Sequence, residues 1–259
     1  MDSKFIPYLK ELAAKYSVAS DLDAELETGA VKITCNKGDY RFFYDFSMPL
    51  KQDSCRNVPL YHWQLKRRYV ELRNTLDTGL VKTPLGMRIH HIVSKDEFTK
   101  QLKDIITFET NLVEFITHQK INKVFADFYG ETYVNCIMST DGNVKVSLEL
   151  GFSPDGSEPV LLHEIICKDG IASDVVVDTQ VQQYPIYVFK GKDTLIYKDI
   201  DNELYDMDNT QVDSIRFILW ALTDTTRIDV LCENYGHIEK IYEAALKANK
   251  DVSYTDVEG

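Results

Sequence analysis

Three Asp-Gly dipeptides, Asp141-Gly142, Asp155-Gly156 and Asp169-Gly170, punctuate the stretch from about Lys123 to Lys198, with short apolar or alternating runs between them. Asp-Gly is a strong reversal signal, because glycine takes the positive φ that tight hairpins often require without steric cost. The spacing predicts an antiparallel meander. Outside it the periodicity changes to that of helices. Phe5, Leu9, Leu12, Ala13 and Tyr16 predict an amphipathic helix at the start. Val31–Cys35 and Tyr40–Tyr44 flank Asn36-Lys37-Gly38-Asp39 and predict a hairpin, followed by a polar loop from Gln52 to Asn57. A helix is expected from about Gln64 to Leu76, ending at Asp77-Thr78-Gly79, where glycine suits a left-handed C-terminus. A strand follows at Met87–Val93. Asp96 is then expected to cap a long helix reaching about Thr117, with Phe98, Leu102, Ile105, Leu112 and Ile116 as its apolar stripe. Two helices close the chain, one carrying Val212, Ile215, Leu219 and Leu222, the other Ile238, Ile241, Tyr242 and Ala245. Helices grouped around a block of hairpin-linked strands specify the α+β class.

The charge balance limits the partners. At a formal net charge of −12, the chain has clustered cations only at Lys66-Arg67-Arg68, which is expected to be a solvated helix face. Phosphate recognition needs more than this, so nucleic acid is not an expected partner. No apolar run approaches the roughly 18–20 residues that span a bilayer, and the start has no signal-peptide pattern, so no membrane partner and a cytoplasmic location are expected. Five cysteines, Cys35, Cys55, Cys136, Cys167 and Cys232, include no C-x-x-C pair and read as reduced, mostly core residues.

Most local motifs fail on their spacing. None of the 12 glycines is two residues from another, so no G-x-G-x-x-G turn exists to bring backbone amides onto a pyrophosphate. Gly151 and Gly156 have phosphate-loop spacing, but Ser157 stands where the lysine is required. His163-Glu164-Ile165-Ile166-Cys167 begins like a zinc-protease motif, lacks the second histidine, and reads as an ordinary strand. Asp199, Asp201, Glu203, Asp206 and Asp208 lack the glycine and final glutamate of a calcium loop. His90 and His91 point to opposite faces of their strand and do not readily share one metal, although one of them is placed to line a pocket. No metal site and no G-x-S-x-G nucleophile elbow is expected.

Taken in succession, residues from about 58 to 250 resemble the C-terminal domain of the Gfo/Idh/MocA oxidoreductases, the glucose–fructose oxidoreductase and inositol dehydrogenase family. Val58 to Leu76 followed by Asp77-Thr78-Gly79-Leu80-Val81 resembles that family's strand, helix and "SGxIG" passage. Asn143 to Phe152 resembles its "nG" strand, and Ser173 to Tyr197 its later strands, with Val188-Phe189-Lys190-Gly191-Lys192-Asp193-Thr194 in place of "vyGxxGt". The resemblance covers roughly three quarters of the chain. It implies a large, mostly antiparallel open sheet with helices on one face over 58–250, and makes the helix-plus-hairpin segment at 1–57 a vestigial or replaced cofactor half; the last residues, 251–259, are expected to fray.

In the family, the long helix carries D-x-G-x-H-x-x-D, whose histidine exchanges a proton while hydride moves to the nicotinamide. The matching residues here are Asp104, Phe108 and Asn111 on one helical face, so phenylalanine replaces the histidine. Ser47-Met48-Pro49-Leu50 resembles the family's E-K-P-L passage, with Met48 in place of the lysine. Neither a thioether nor a phenyl ring transfers protons at neutral pH. The resemblance therefore implies a domain without its nucleotide-binding half, with no cofactor of its own, that binds a sugar-like ligand through His90, His91, Asp104 or Tyr69 and pairs as a homodimer through the sheet face. Alternation at Val144, Val146 and Leu148 would suit a buried sheet face. One alternative is the substrate-side subunit of a sugar or polyol oxidoreductase, a hetero-oligomer with a full-length relative that supplies the NAD(P) domain. Another is a non-redox enzyme that has recruited Asp104, Glu109 or Glu164.

Overall fold

The computed structural model describes residues 4–47, 50–51, 53–130, 132–153, 159–174, 186–190, 193–197 and 207–257. They divide into two compact units: Met1–Lys66 with Asp201–His237, and Arg67–Ile200 with Ile238–Gly259. Among the described residues no helix is long and apolar enough to cross a membrane.

The first unit opens with α1 (Phe5–Lys15), which buries Phe5, Leu9 and Ala13. Its sheet has the order β1 (Asp23–Glu27), β2 (Ala30–Cys35), β3 (Gly38–Phe43), β4 (Arg56–Pro59). The expected hairpin is β2–β3, closing with Cys35 opposite Gly38, whose φ of +135° disfavours a side chain. The expected loop before Asn57 gives way at Arg56 to β4, which runs parallel to β3. Asp208 caps α4 (Asn209–Thr223) by accepting from the Gln211 amide. The start of α5 (Thr226–Asp251) also lies in this unit. Its core is aromatic: Phe46 stacks on Tyr61 at 5.8 Å and Phe43 meets Tyr235 edge-on at 5.0 Å.

The second unit begins with α2 (Arg67–Asp77), which ends as expected at a left-handed Gly79, φ +68°. Next come β5 (Pro84–Val93) and α3 (Lys95–Thr117). The residue that caps α3 is Ser94, whose hydroxyl accepts from the Glu97 amide, and not Asp96. The remaining strands are β6 (Ile121–Tyr129), β7 (Tyr133–Thr140), β8 (Lys145–Phe152), β9 (Val160–Cys167), β10 (Gly170–Ser173), β11 (Ile186–Lys190), β12 (Asp193–Tyr197) and β13 (Thr255–Asp256). They form one sheet in the order β12-β11-β10-β9-β5-β8-β7-β6-β13.

The expected large, mostly antiparallel sheet is present, with one change to the meander. β5 lies between β8 and β9, parallel to β8 and antiparallel to β9, so the hairpins fall into two groups on either side of it. Local turn signals cannot encode that insertion, because β5 precedes the meander in sequence. Asp141-Gly142 does lie in a reversal, but the residue with positive φ is Asn143 at +65°; asparagine tolerates that region better than most side chains. Asp155-Gly156 lies outside the described residues. The C-terminal segment, expected to fray, pairs through Thr255 with Val124 and through Asp256 with Lys123.

α2 and α3 both pack on the sheet face that carries His163, and the end of α5 joins them, with Asn249 accepting from the Phe128 amide. Met87, Ile89, Val134, Cys136, Met138, Val146, Leu148, Leu150 and Ile165 are at most 2% exposed on this face. Each large apolar side chain so buried contributes roughly 1.5–3 kcal/mol. Val146 and Leu148 therefore belong to the core beneath the helices, where Val144 is buried too, and are unavailable for pairing across the open face.

Candidate functional site

His163 is 0% exposed and sits on the helix-covered face of β9, sharing its parity with the buried Ile165 and Cys167. Ladder register sets its surroundings. Ile89 of β5 lies opposite His163 and His91 lies opposite Leu161. On the other side, Asp174 continues the β9–β10 ladder by donating its amide to the His163 carbonyl and accepts the His163 amide on Oδ1 at 2.5 Å. Asp174 Oδ2 lies 2.7 Å from His163 Nδ1, and the Arg68 guanidinium of α2 bonds the same oxygen while also donating to the Leu161 carbonyl at 3.2 Å. From α3, Glu109 Oε2 lies 3.1 Å from His163 Nε2 and its Oε1 2.6 Å from His91 Nδ1.

The five groups form a chain in which donors and acceptors alternate: Arg68, Asp174, His163, Glu109, His91. Burial alone would drive His163 toward its neutral form. The two carboxylates outweigh burial and raise its pKa from 6.5 to about 9. Burial likewise favours protonated Asp174, but His163 and Arg68 hold it at about 2, and Glu109 is held below the usual range by His163 and His91 against the same opposing burial. With Arg68 and His163 positive and Asp174 and Glu109 negative, the four innermost charges sum to zero, which is the condition for tolerating ions away from water.

Of the residues singled out in the sequence, Tyr69, His91 and Phe108 come together. The Phe108 ring meets Tyr69 edge-on at 5.8 Å and His91 at 5.9 Å, and Tyr69 also meets His163 at 5.3 Å. Phe108 and Asp104 are half-buried, whereas Asn111 is 1% exposed. His90 lies on the opposite sheet face, 3.2 Å from Glu149, as strand alternation requires. Met48 lies outside the described residues, as do Asp199, Asp201, Glu203 and Asp206. Gly151 lies within β8, which is no setting for a phosphate loop; Gly156 and Ser157 are outside the described residues. Among the described residues no group of three His, Cys, Asp or Glu side chains is arranged so that it could hold a metal ion.

The expected solvated face at Lys66-Arg67-Arg68 is corrected at Arg68, whose side chain is only 11% exposed. His163, Asp174 and Arg68 were missed as site residues, and one signal, at their partner Glu109, was in the sequence. Glu109 falls on the apolar stripe of α3, four residues after Ile105 and three before Leu112, whereas Leu161, Leu162, Ile165 and Ile166 make both faces of the His163 strand apolar, so its sequence does not say which face His163 takes. A charge at such a position has a partner in the core.

No family model matches this chain, and no curated protein matches it. Solved structures do. An oxidoreductase domain protein from Kribbella flavida matches with a TM-score of 0.62 at 10% identity over 79% of this chain and 67% of its own. The transcriptional regulator Gal80p from Kluyveromyces lactis matches with 0.62 at 10% over 80% and 63%, and scyllo-inositol dehydrogenase from Lactobacillus casei, solved with NAD(H) and scyllo-inositol, with 0.56 at 12% over 78% and 65%. The chain thus spans about two thirds of the length of the structures it matches. Two of these are oxidoreductases of the kind the sequence resembles, and the fold implied by that resemblance is the one this chain adopts.

Proposed function

We propose that this chain is a non-redox, ligand-binding and self-associating domain built on the substrate-side half of a sugar-oxidoreductase fold. The observation that carries this reading is Phe108: the position matched to a proton-transferring histidine holds an aromatic ring packed against Tyr69 and His91. The residues from 4 to 66 support it, since those described there make one α-helix, a short 3-10 helix (His62–Leu65) and a four-stranded sheet without a glycine-rich strand-to-helix turn. That the same fold serves a transcriptional regulator as well as dehydrogenases is further support, because activity resides in the site and not in the fold.

The occupant proposed for the open sheet face is a second copy. Ile137, Val160, Ile171 and Phe189 are 37–39% exposed on strands of this sheet. Arg88 lies near Glu164 and His90 near Glu149 on the same surface, so both charge signs are available to a two-fold mate. Analytical ultracentrifugation should give a dimer at micromolar concentration that Ile171→Glu converts to monomer, and calorimetry should show no NADH binding. A monomeric wild type overturns the association, and tight NADH binding overturns the non-redox reading. A second reading, a substrate-side subunit completed by a partner that carries the nucleotide, is favoured by the imidazole of His91 beside Phe108; it predicts polyol turnover only after mixing with a full-length relative.

A further inference from the structure

Two helices of the first compact unit face each other across a hollow. Tyr8, Leu12 and Tyr16 fall four residues apart on α1, and Val212, Ile215 and Leu219 fall three and four apart on α4, so each helix turns one stripe toward the other. Facing stripes of this kind ordinarily interdigitate, because a void forfeits the contacts its lining would make. Here they leave a cavity of about 240 Å³, which Met207 also lines and at which Tyr16 stands 62% exposed. A void of that size lowers stability unless something fills it.

Among the described residues that line the hollow, Arg216 of α4 is the one charged side chain. It is 43% exposed and stands 3.7 Å from Asp213, a spacing of charges and not of hydrogen bonds. Lys15 adds its ammonium 5.6 Å above the Tyr16 ring. With Lys4, Lys10 and Lys15 against the single acid Glu11, α1 and its N-cap hold a local excess of two positive charges in a chain of net −12. An apolar hollow bordered by cations suits an anionic amphiphile, whose tail leaves water while its head does not. The fork of an arginine holds a carboxylate through two parallel N–H donations. A dry cavity of about 150 Å³ accepts the six carbons of benzene, so this one accepts roughly eight to ten. We propose that the hollow between α1 and α4 is a binding site for a free medium-chain carboxylate, with the tail between the two stripes and the head at Arg216. The site lies in the compact unit that does not hold His163, so it goes beyond the function proposed above and does not rest on it.

Calorimetry on the full chain should show saturable binding of sodium octanoate, kept below its micellar concentration. Hexanoate, two methylenes shorter, should bind about 15-fold more weakly, at a factor of about four per methylene. Dodecanoate should gain nothing over decanoate once the hollow is full. Octylammonium, with the same tail and the opposite charge, should bind about tenfold more weakly than octanoate. Arg216→Gln should lower octanoate affinity about tenfold and leave 1-octanol binding unchanged. Leu12→Trp fills the hollow from a half-buried position and should abolish binding of both. The tail-length series and Arg216→Gln decide the matter whether or not Leu12→Trp folds. No saturable heat with octanoate, an affinity that ignores tail length, equal binding of octylammonium, undiminished affinity in Arg216→Gln, or a folded Leu12→Trp chain that still binds overturns the proposal.

Discussion

Substituting His163 by leucine tests the buried charge chain most directly. The imidazolium is fully buried and bridges Asp174 at 2.7 Å and Glu109 at 3.1 Å. Leucine has similar bulk but leaves two buried carboxylates short of a partner. Asp174 keeps Arg68 and the residue-163 amide, and Glu109 keeps His91, so the loss at pH 7 should fall in the ~3–5 kcal/mol range for breaking a buried ion pair. Linkage gives an independent figure. The folded-state pKa of His163 is raised from 6.5 to about 9, so its stabilisation is fully present below pH 6.5 and is lost as the pH rises through 9. A rise of that size is worth about 3 kcal/mol. Wild type should therefore lose stability between pH 6.5 and above 9 that His163→Leu never had, and the gap between the two should narrow by about that amount. Both tryptophans, Trp63 and Trp220, lie in the other compact unit, so their fluorescence reports the wrong part of the molecule. Hydrogen–deuterium exchange of the β5 and β9 amides reads the correct one. Parallel pH profiles for the two proteins would refute the charged state assigned to His163.

Two further outcomes follow from the same reasoning. Asp174, held at about 2 against an ordinary 3.8, stabilises the fold above pH 3.8 and loses that contribution, about 2 kcal/mol, as the pH falls through 2; Asp174→Asn should flatten this acid limb in the β9 exchange profile while lowering protection at neutral pH through the stranded Arg68. Gly79→Ala forces a side chain into φ +68° at the end of α2 and should cost about 1 kcal/mol, read as earlier exchange of the α2 amides with β12 and β13 unchanged.

Much of this protein is written locally. The stripe Phe98, Ile105, Leu112, Ile116 placed α3, the β2–β3 hairpin closed where Gly38 allowed it, and Gly79 stopped α2 at a left-handed residue. Each depends on contacts a few residues apart, and local periodicity carries that information. The insertion of β5 between β8 and β9 depends on pairing across more than 50 residues, and no local pattern encodes it. The site is of the second kind. Residues 68, 91, 109, 163 and 174 belong to two helices, two strands and a strand end, and only packing brings them within hydrogen-bond reach. By itself the sequence determined that Glu109 lies on the apolar stripe of α3, whereas the buried phase of β9 that holds His163 came from its pairing with β5, because Leu161, Leu162, Ile165 and Ile166 make both faces of that strand apolar. The tertiary structure alone decided that they meet, because a buried charge is stable only where another element supplies its opposite, and that element is remote along the chain.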